Sequence, residues 1–404
     1  MKVNVLINIT IGDNVVIGTN TTVIKFSISN NNVLGEIIRF QSNNNYSMRV
    51  LYDYQAFNQH HGGVSRYHIE LIKHLTKLGV YCEVPFLLSE NVYLDEIGIK
   101  HINPLSNWRS SLRLNGMKWI NQKICLSSIK RGNFDIFHPT FLNPYYVNYT
   151  KGIPVVQTMH DLIHEKIDRY DSKIIREKRK KVLNNADAII CISKETWNDL
   201  VKYYDVPESK LHLVYHGSEQ SLISCNEKSL FDFPYLLYIG NRAGYKNFEK
   251  FLYSFAKLPK DIYLVCTGES FNDSECKKIK DLGLSKRVYQ KFVTEEEMKV
   301  LLCNAIAFVY PSLMEGFGLP ILEAFRCQCP CLISDISCFH EVGGKAAVYF
   351  NPDSVDDMTC KITQTIYDEE KLAALKNQGV EQLKKFTWDN TAQETLKVYK
   401  SFFL

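Results

Sequence analysis

No stretch of this 404-residue sequence approaches the roughly 18 apolar residues that a membrane-spanning helix needs. Residues 3–9 are too short for a secretory core, are interrupted by Asn4 and Asn8, and precede no small-residue cleavage site. Retention in the cytoplasm is therefore expected, with at most peripheral contact at a membrane surface. None of the twelve cysteines forms a Cys-x-x-Cys pair, and ligand pairs backed by histidine are missing. Cys327, Cys329 and Cys331 stand two apart, and buried reduced thiols are the expectation rather than metal ligands. Strong charge is lacking too, since the net charge is only +4. That excludes a nucleic-acid footprint and leaves an anionic small ligand or an acidic membrane surface.

The apolar share of 45% and charged share of 23% place the chain among globular proteins. Its length exceeds one ordinary core and points to two domains. Residues 1–47 differ from the rest, with ten asparagines and five charged residues. Within them Ile11-Gly-Asp-Asn-Val-Val, Ile17-Gly-Thr-Asn-Thr-Thr and Val23 repeat every six residues. That period resembles the hexapeptide repeat of left-handed parallel β-helices, with an aliphatic residue turned inward at each corner. Two repeats cannot bury a core, so the segment reads as a remnant or appended edge, or else as a chance strand pair. Residues 41–47 read as a linker.

From Met48 the pattern changes to strand, glycine turn, helix: the run 48–53, then Gly62-Gly63, then a helix over 65–78. Further strands are expected at 82–87, 135–138, 155–159 and 188–192, with helices at 173–184 and 194–204. The pattern restarts with a strand at 235–240. Helices follow at 248–257, 275–282, 294–304, 319–326 and 355–367, with strands at 262–267, 307–310 and 330–334. Two successive doubly wound α/β domains are the simplest account, at 48–222 and 223–385, with the hinge near 218–232. Residues 386–404 read as a closing helix that crosses back to the first domain.

An anionic ligand such as a diphosphate can be held by a metal, by Arg and Lys, or by backbone N–H groups at a helix start. No Asp-x-Asp occurs, so the commonest metal grip is absent and no metal or cofactor is predicted. Gly62 and Gly63 precede a helix and permit close approach of backbone to an anion, although a plain tight turn would look the same. Arg242 and Lys246 follow a strand at its carboxyl end, where open α/β sheets bind ligands. Pro311-Ser-Leu-Met-Glu315-Gly-Phe-Gly-Leu-Pro-Ile-Leu-Glu323 then places one acid in a glycine loop and a second on a helix that Pro320 helps to start. Two acids so spaced are compatible with one extended ligand.

This last stretch resembles the Glu-x7-Glu signature of the retaining group 1 (family four) glycosyltransferases, which have the GT-B fold. The likeness runs from about Met48 to the end. Gly62-Gly63-Val-Ser-Arg-Tyr67 is similar to the family's first glycine loop, and Phe137-His138-Pro and Val155-Val-Gln-Thr-Met-His160-Asp-Leu to its mid-domain strands. Cys191-Ile-Ser-Lys-Glu195 and Val214-Tyr-His-Gly217 resemble the segments leading to the hinge. Tyr238-Ile-Gly-Asn-Arg242 and Tyr245-Lys-Asn247 resemble the cationic loop, with Asn241 where an arginine usually stands.

The resemblance implies two Rossmann-like domains facing a central cleft that takes a nucleotide-diphosphate sugar and a glycan or lipid-linked acceptor. It implies that Glu323 binds the donor ribose and that Arg242 and Lys246 grip the diphosphate. Glu315, with the backbone of Phe317, Gly318 and Leu319, would hold the transferred hexose, possible mannose among them. His160 would face the sugar, and Gly63 would admit a backbone amide to the phosphate. His138 stays undecided, while His216 and His340 read as structural. Residues 173–181 and 108–131 are basic: a solvated helix face or a membrane-surface patch. A nucleotide-sugar 2-epimerase or a sugar phosphorylase would use the same fold, and an inactive sugar-nucleotide-binding scaffold is the non-enzymatic alternative.

Overall fold

A computed structural model describes residues 24–29, 32–37, 47–60, 62–102, 110–167, 172–242 and 244–403. The hexapeptide-like repeat lies outside them, as does the linker up to residue 46. Next to the repeat is an antiparallel pair, β1 (Ile24–Ser29) and β2 (Asn32–Ile37).

The amino-terminal half holds β3 (Met48–Tyr52), β4 (Val80–Glu83), β5 (Ile136–His138), β6 (Val156–Met159), β7 (Ala188–Cys191) and β8 (Leu211–Leu213). All pair in parallel, as β4-β3-β5 and β6-β7-β8, and a parallel bridge from Phe137 to Val155 joins the two runs. Strands covered by helices on both faces read as unbroken apolar runs, and Ala-Ile-Ile-Cys of β7 is buried throughout. The strand expected at 82–87 sits earlier, at Val80–Glu83, because it starts directly after the left-handed Gly79 turn and pairs with Met48–Leu51.

The carboxy-terminal half holds β9 (Tyr235–Tyr238), β10 (Tyr263–Thr267), β11 (Val288–Lys291), β12 (Ala307–Tyr310), β13 (Cys331–Ser334) and β14 (Ala347–Phe350). The order is β11-β10-β9-β12-β13-β14, all parallel. Its first strand is central, so the chain winds outward both ways and leaves a switch point between β9 and β12. Open sheets bind ligands at the carboxyl ends of strands at such a point.

Caps set the helix boundaries. Ser193 accepts the Thr196 N–H ahead of the helix Lys194–Tyr204, and Asn272 with Glu275, and Thr294 with Glu297, form capping boxes. The helix Trp388–Lys400 packs into the amino-terminal core: Tyr399 Oη lies 2.8 Å from Tyr52 Oη and 2.6 Å from His138 Nδ1. His138 is thus built into the core, with Nε2 2.9 Å from Thr158 Oγ1.

One pair of cysteines was not foreseen. Cys225 and Cys303 form a disulfide that ties the hinge segment to the helix Glu295–Asn304. The two are 78 residues apart, and such a pairing has no signature in linear spacing. Cys327, Cys329 and Cys331 are free and buried, and only Cys331 lies on a strand. Among the described residues no group of three or more potential metal ligands comes together, and no helix is long and apolar enough to cross a membrane.

Candidate active site

Two loops leave the carboxyl ends of the adjacent strands β9 and β12, and their charged side chains meet. Lys246 Nζ lies 2.6 Å from Glu315 Oε1, with both side chains largely shielded from water. Tyr245 and Tyr310 present ring faces to the same ammonium, at 5.2 and 5.5 Å. The Glu315 carbonyl accepts a hydrogen bond from the Cys338 thiol at 3.3 Å. Gly318 has φ +112°, a conformation that favours glycine, and so turns the chain into the helix Leu319–Arg326. Phe317 is buried against Tyr215, His216 and Phe386.

The other half supplies the facing wall. His160 follows β6 directly, and the loop of the carboxy-terminal half lies hard against it. A Cβ on Gly316 would fall 1.9 Å from the His160 carbonyl oxygen, so only glycine permits this approach. The His160 ring stands edge-on to Tyr67 at 5.1 Å and to His216 at 5.6 Å, and its Nε2 is buried without a partner. Burial holds its pKa down to about 4, partly offset by Asp161, so the ring is neutral at physiological pH. His68, His138 and His216 are neutral for the same reason, burial first and neighbouring imidazoles second.

Gly62 and Gly63 begin the helix Gly63–Lys77, whose Arg66 and Tyr67 reach the cleft. A Cβ on Gly63 would meet nothing within 4 Å, whereas one on Gly62 would meet the far end of the Gln59 side chain at 2.6 Å. Arg66 pairs with Glu70 at 3.0 Å and Glu96 at 2.6 Å. It also acts on Glu323, which stays open to solvent on the helix Leu319–Arg326. Crowding by protein raises the pKa of that carboxyl, Glu295 adds to the rise, and Arg326 and Arg66 oppose it.

Arg242 is not joined to this group. Its Nε lies 2.9 Å from Glu275 Oε1, and one terminal nitrogen donates to the Glu269 and Ser270 carbonyls at 2.6 and 3.0 Å. Phe271 covers the guanidinium at 4.9 Å. Its Nη1 is buried without a partner, so the two N–H groups of that nitrogen are left to offer. Three more residues lie at the boundary between the halves: Tyr67, read from the sequence only as part of the glycine-loop motif, His216, read there as structural, and Glu341, which went unread. Glu341 crosses from the carboxy-terminal half to accept the Lys194 and Glu195 N–H groups at 2.8 and 3.1 Å, capping a helix of the other half. Of the basic stretch at 173–181, Arg176 and Arg179 turn inward, to the His164 carbonyl and to Glu165, and the lysines stay outside.

Two family models match: "Glycosyltransferase Family 4" over residues 61–220 and "Glycosyl transferases group 1" over residues 226–382. The chain belongs to the group 1 glycosyltransferases. O-antigen chain mannosyltransferase B of Escherichia coli is 24% identical over 385 residues, covering 87% of this chain and 100% of that protein. O-antigen chain mannosyltransferase RfbU of Salmonella typhimurium is 28% identical, over 70% of this chain and 82% of its own. HepE from Anabaena, solved with UDP and glucose, superposes with a TM-score of 0.71 at 14% identity, covering 88% of this chain and 100% of that one. The fold is GT-B, and this glycosyltransferase is a hexosyltransferase.

Proposed function

We propose that this enzyme moves mannose, with retention of anomeric configuration, from a nucleoside diphosphate to a glycan or lipid-linked acceptor. Residues 48–222 form the acceptor half, residues 223–385 the donor half, and the last helix belongs to the acceptor half. The names of the relatives support mannose. One observation carries the site: a lysine and a glutamate from neighbouring strand ends pair at 2.6 Å while the glycine between that glutamate and Phe317 presses on His160.

A buried ion pair is a poor stabiliser by itself, because desolvation offsets most of the attraction. It serves well as a placeholder for a ligand that satisfies both partners. The donor diphosphate takes Lys246, the departing charge is stabilised there, and the freed Glu315 accepts from hydroxyls of the sugar. Charge-assisted bonds of this kind contribute about 1.5–3 kcal/mol each. Glu323 holds the ribose, and the amides of Phe317, Gly318 and Leu319 line the sugar. Arg242 contributes through Nη1 alone. The amide at Gly63 meets phosphate, with the helix start adding about 0.3–1 kcal/mol. His160, uncharged, offers hydrogen bonds to the sugar rather than charge. The leaving phosphate oxygen takes the acceptor proton on the face that it departs.

Thermal shift against a panel of nucleoside diphosphates and their hexoses tests the reading. Stabilisation by GDP and GDP-mannose is expected. No shift with any member at millimolar concentration would contradict it.

A further inference from the structure

His216 lies where the two halves meet, and nothing in the fold explains why it is polar. The residue is only 3% exposed. One ring face stacks on Tyr67, with centroids 4.6 Å apart and planes 24° apart, and Phe317 lies against it at 5.1 Å and 31°. These aromatic faces give a ring nitrogen nothing to bond, and neither Nδ1 nor Nε2 has a hydrogen-bond partner. An unmet buried polar atom costs about 1–3 kcal/mol. A phenylalanine would stack in the same space without that cost.

The neighbour explains the choice. His160 stands edge-on at 5.6 Å, and its Nε2 is also buried and unmet. Three unsatisfied nitrogens on two imidazoles therefore collect beside the contact between Gly316 and His160. Each neutral ring carries one N–H donor and one bare acceptor nitrogen. A hydroxyl both donates and accepts, so it matches such a pair, whereas an anion does not.

We propose that His216 is a second sugar-contacting imidazole, bonding a hydroxyl of the transferred hexose beside His160 once the Gly316 loop lifts. This rests on the functional reading above, in which the sugar enters between that loop and His160. Phe317, next to Gly316, is the part of that loop that lies against His216, so the lifting uncovers the face of His216 turned from Tyr67.

The test compares His216→Phe, His216→Asn and Lys246→Ala in the full chain, with GDP-mannose and UDP-glucose as donors. Release of nucleoside diphosphate in the presence of acceptor gives kcat/KM, and calorimetry gives the affinity for GDP or UDP alone. His216→Phe is expected to melt no lower than the wild type and to bind the free diphosphate within about twofold. Its kcat/KM should fall about tenfold or more, the loss of one bond made to the reacting sugar. His216→Asn, which keeps a donor and an acceptor, should recover at least part of that loss. Wild-type turnover by His216→Phe alongside an inactive Lys246→Ala overturns the role of His216 and leaves the cleft assignment standing. Wild-type turnover by both overturns the cleft assignment itself. Should His216→Phe fail to fold, His216→Ala replaces it, and equal kcat/KM for the Asn and Ala variants overturns the proposal.

Discussion

The two walls of the cleft differ in kind. The wall from the carboxy-terminal half is charged: Lys246 with Glu315, and Glu323, with the Arg242–Glu275 pair set apart from them. The wall from the amino-terminal half and the hinge is mainly rings held neutral, His160, His216 and Tyr67 with His68 and His138 behind them, and its charged member Arg66 is paired with Glu70 and Glu96. A nucleotide sugar has the same division, ionic at the diphosphate and neutral at the hexose. On the proposed function the charged wall takes the ribose and most of the diphosphate while both walls meet at the hexose, so neither half alone would hold a complete site.

The sharpest way to break that comparison is to discharge one wall. Lys246→Ala combined with Glu323→Ala should lower transfer about a thousandfold or more, because stabilising the leaving charge contributes more to such a reaction than any other single effect. The circular dichroism spectrum should be unchanged, and appreciable transfer by the double variant would remove the charged wall from the account. Separating the walls is the next test. Gly316→Ala sets a methyl 1.9 Å from the His160 carbonyl and must hold the loop away. The methyl also occupies the gap that the hexose must enter and shifts it by about 1 Å, so transfer should fall about a hundredfold with affinity for the free nucleoside diphosphate unchanged. Equal loss of both would mean that the loop, not its contact with His160, was damaged.

The smallest effect concerns the neutral wall and acid. Unfolded histidine titrates near 6.5, whereas burial holds His160 at about 4 and His138 at about 3. Between those limits the unfolded chain binds more protons than the folded one. Stability is therefore complete above pH 6.5 and falls as pH drops, by about 1.4 kcal/mol per unit for each such ring. Urea unfolding at pH 7 and pH 5.5 measures it, and equal midpoints would mean that these rings are not held neutral.

Much of the frame was legible because its signals are local. Ser193 as a cap and Asp205 in the left-handed region bound the helix Lys194–Tyr204, and Pro320 marks the start of Leu319–Arg326. Other elements carried weaker patterns. Polar Val-Tyr-Gln-Lys is an edge strand, and the three-residue β8 is too short to show a period. The helices Ser110–Arg131, Ser337–Gly343 and Glu369–Leu383 lacked a sharp cap and apolar period together. At the site, Lys246, Glu315 and His160 were named through the family resemblance; the structure pairs Lys246 with Glu315 and sets Gly316 against the His160 backbone. Arg242 was not resolved that way, because its partner Glu275 lies 33 residues off and doubles as a helix cap. His216 and Glu341 act across the boundary between the halves, and a contact of that kind is set by folding rather than by neighbours in sequence.

The Lys246–Glu315 pair is, on this reading, the seat of the donor. A structure of the enzyme with GDP-mannose tests it most directly. The diphosphate should lie within hydrogen-bonding distance of Lys246 Nζ, with Glu315 turned to the hexose and the Gly316 loop lifted from His160. A donor bound elsewhere, with the 2.6 Å pair intact, would contradict the account.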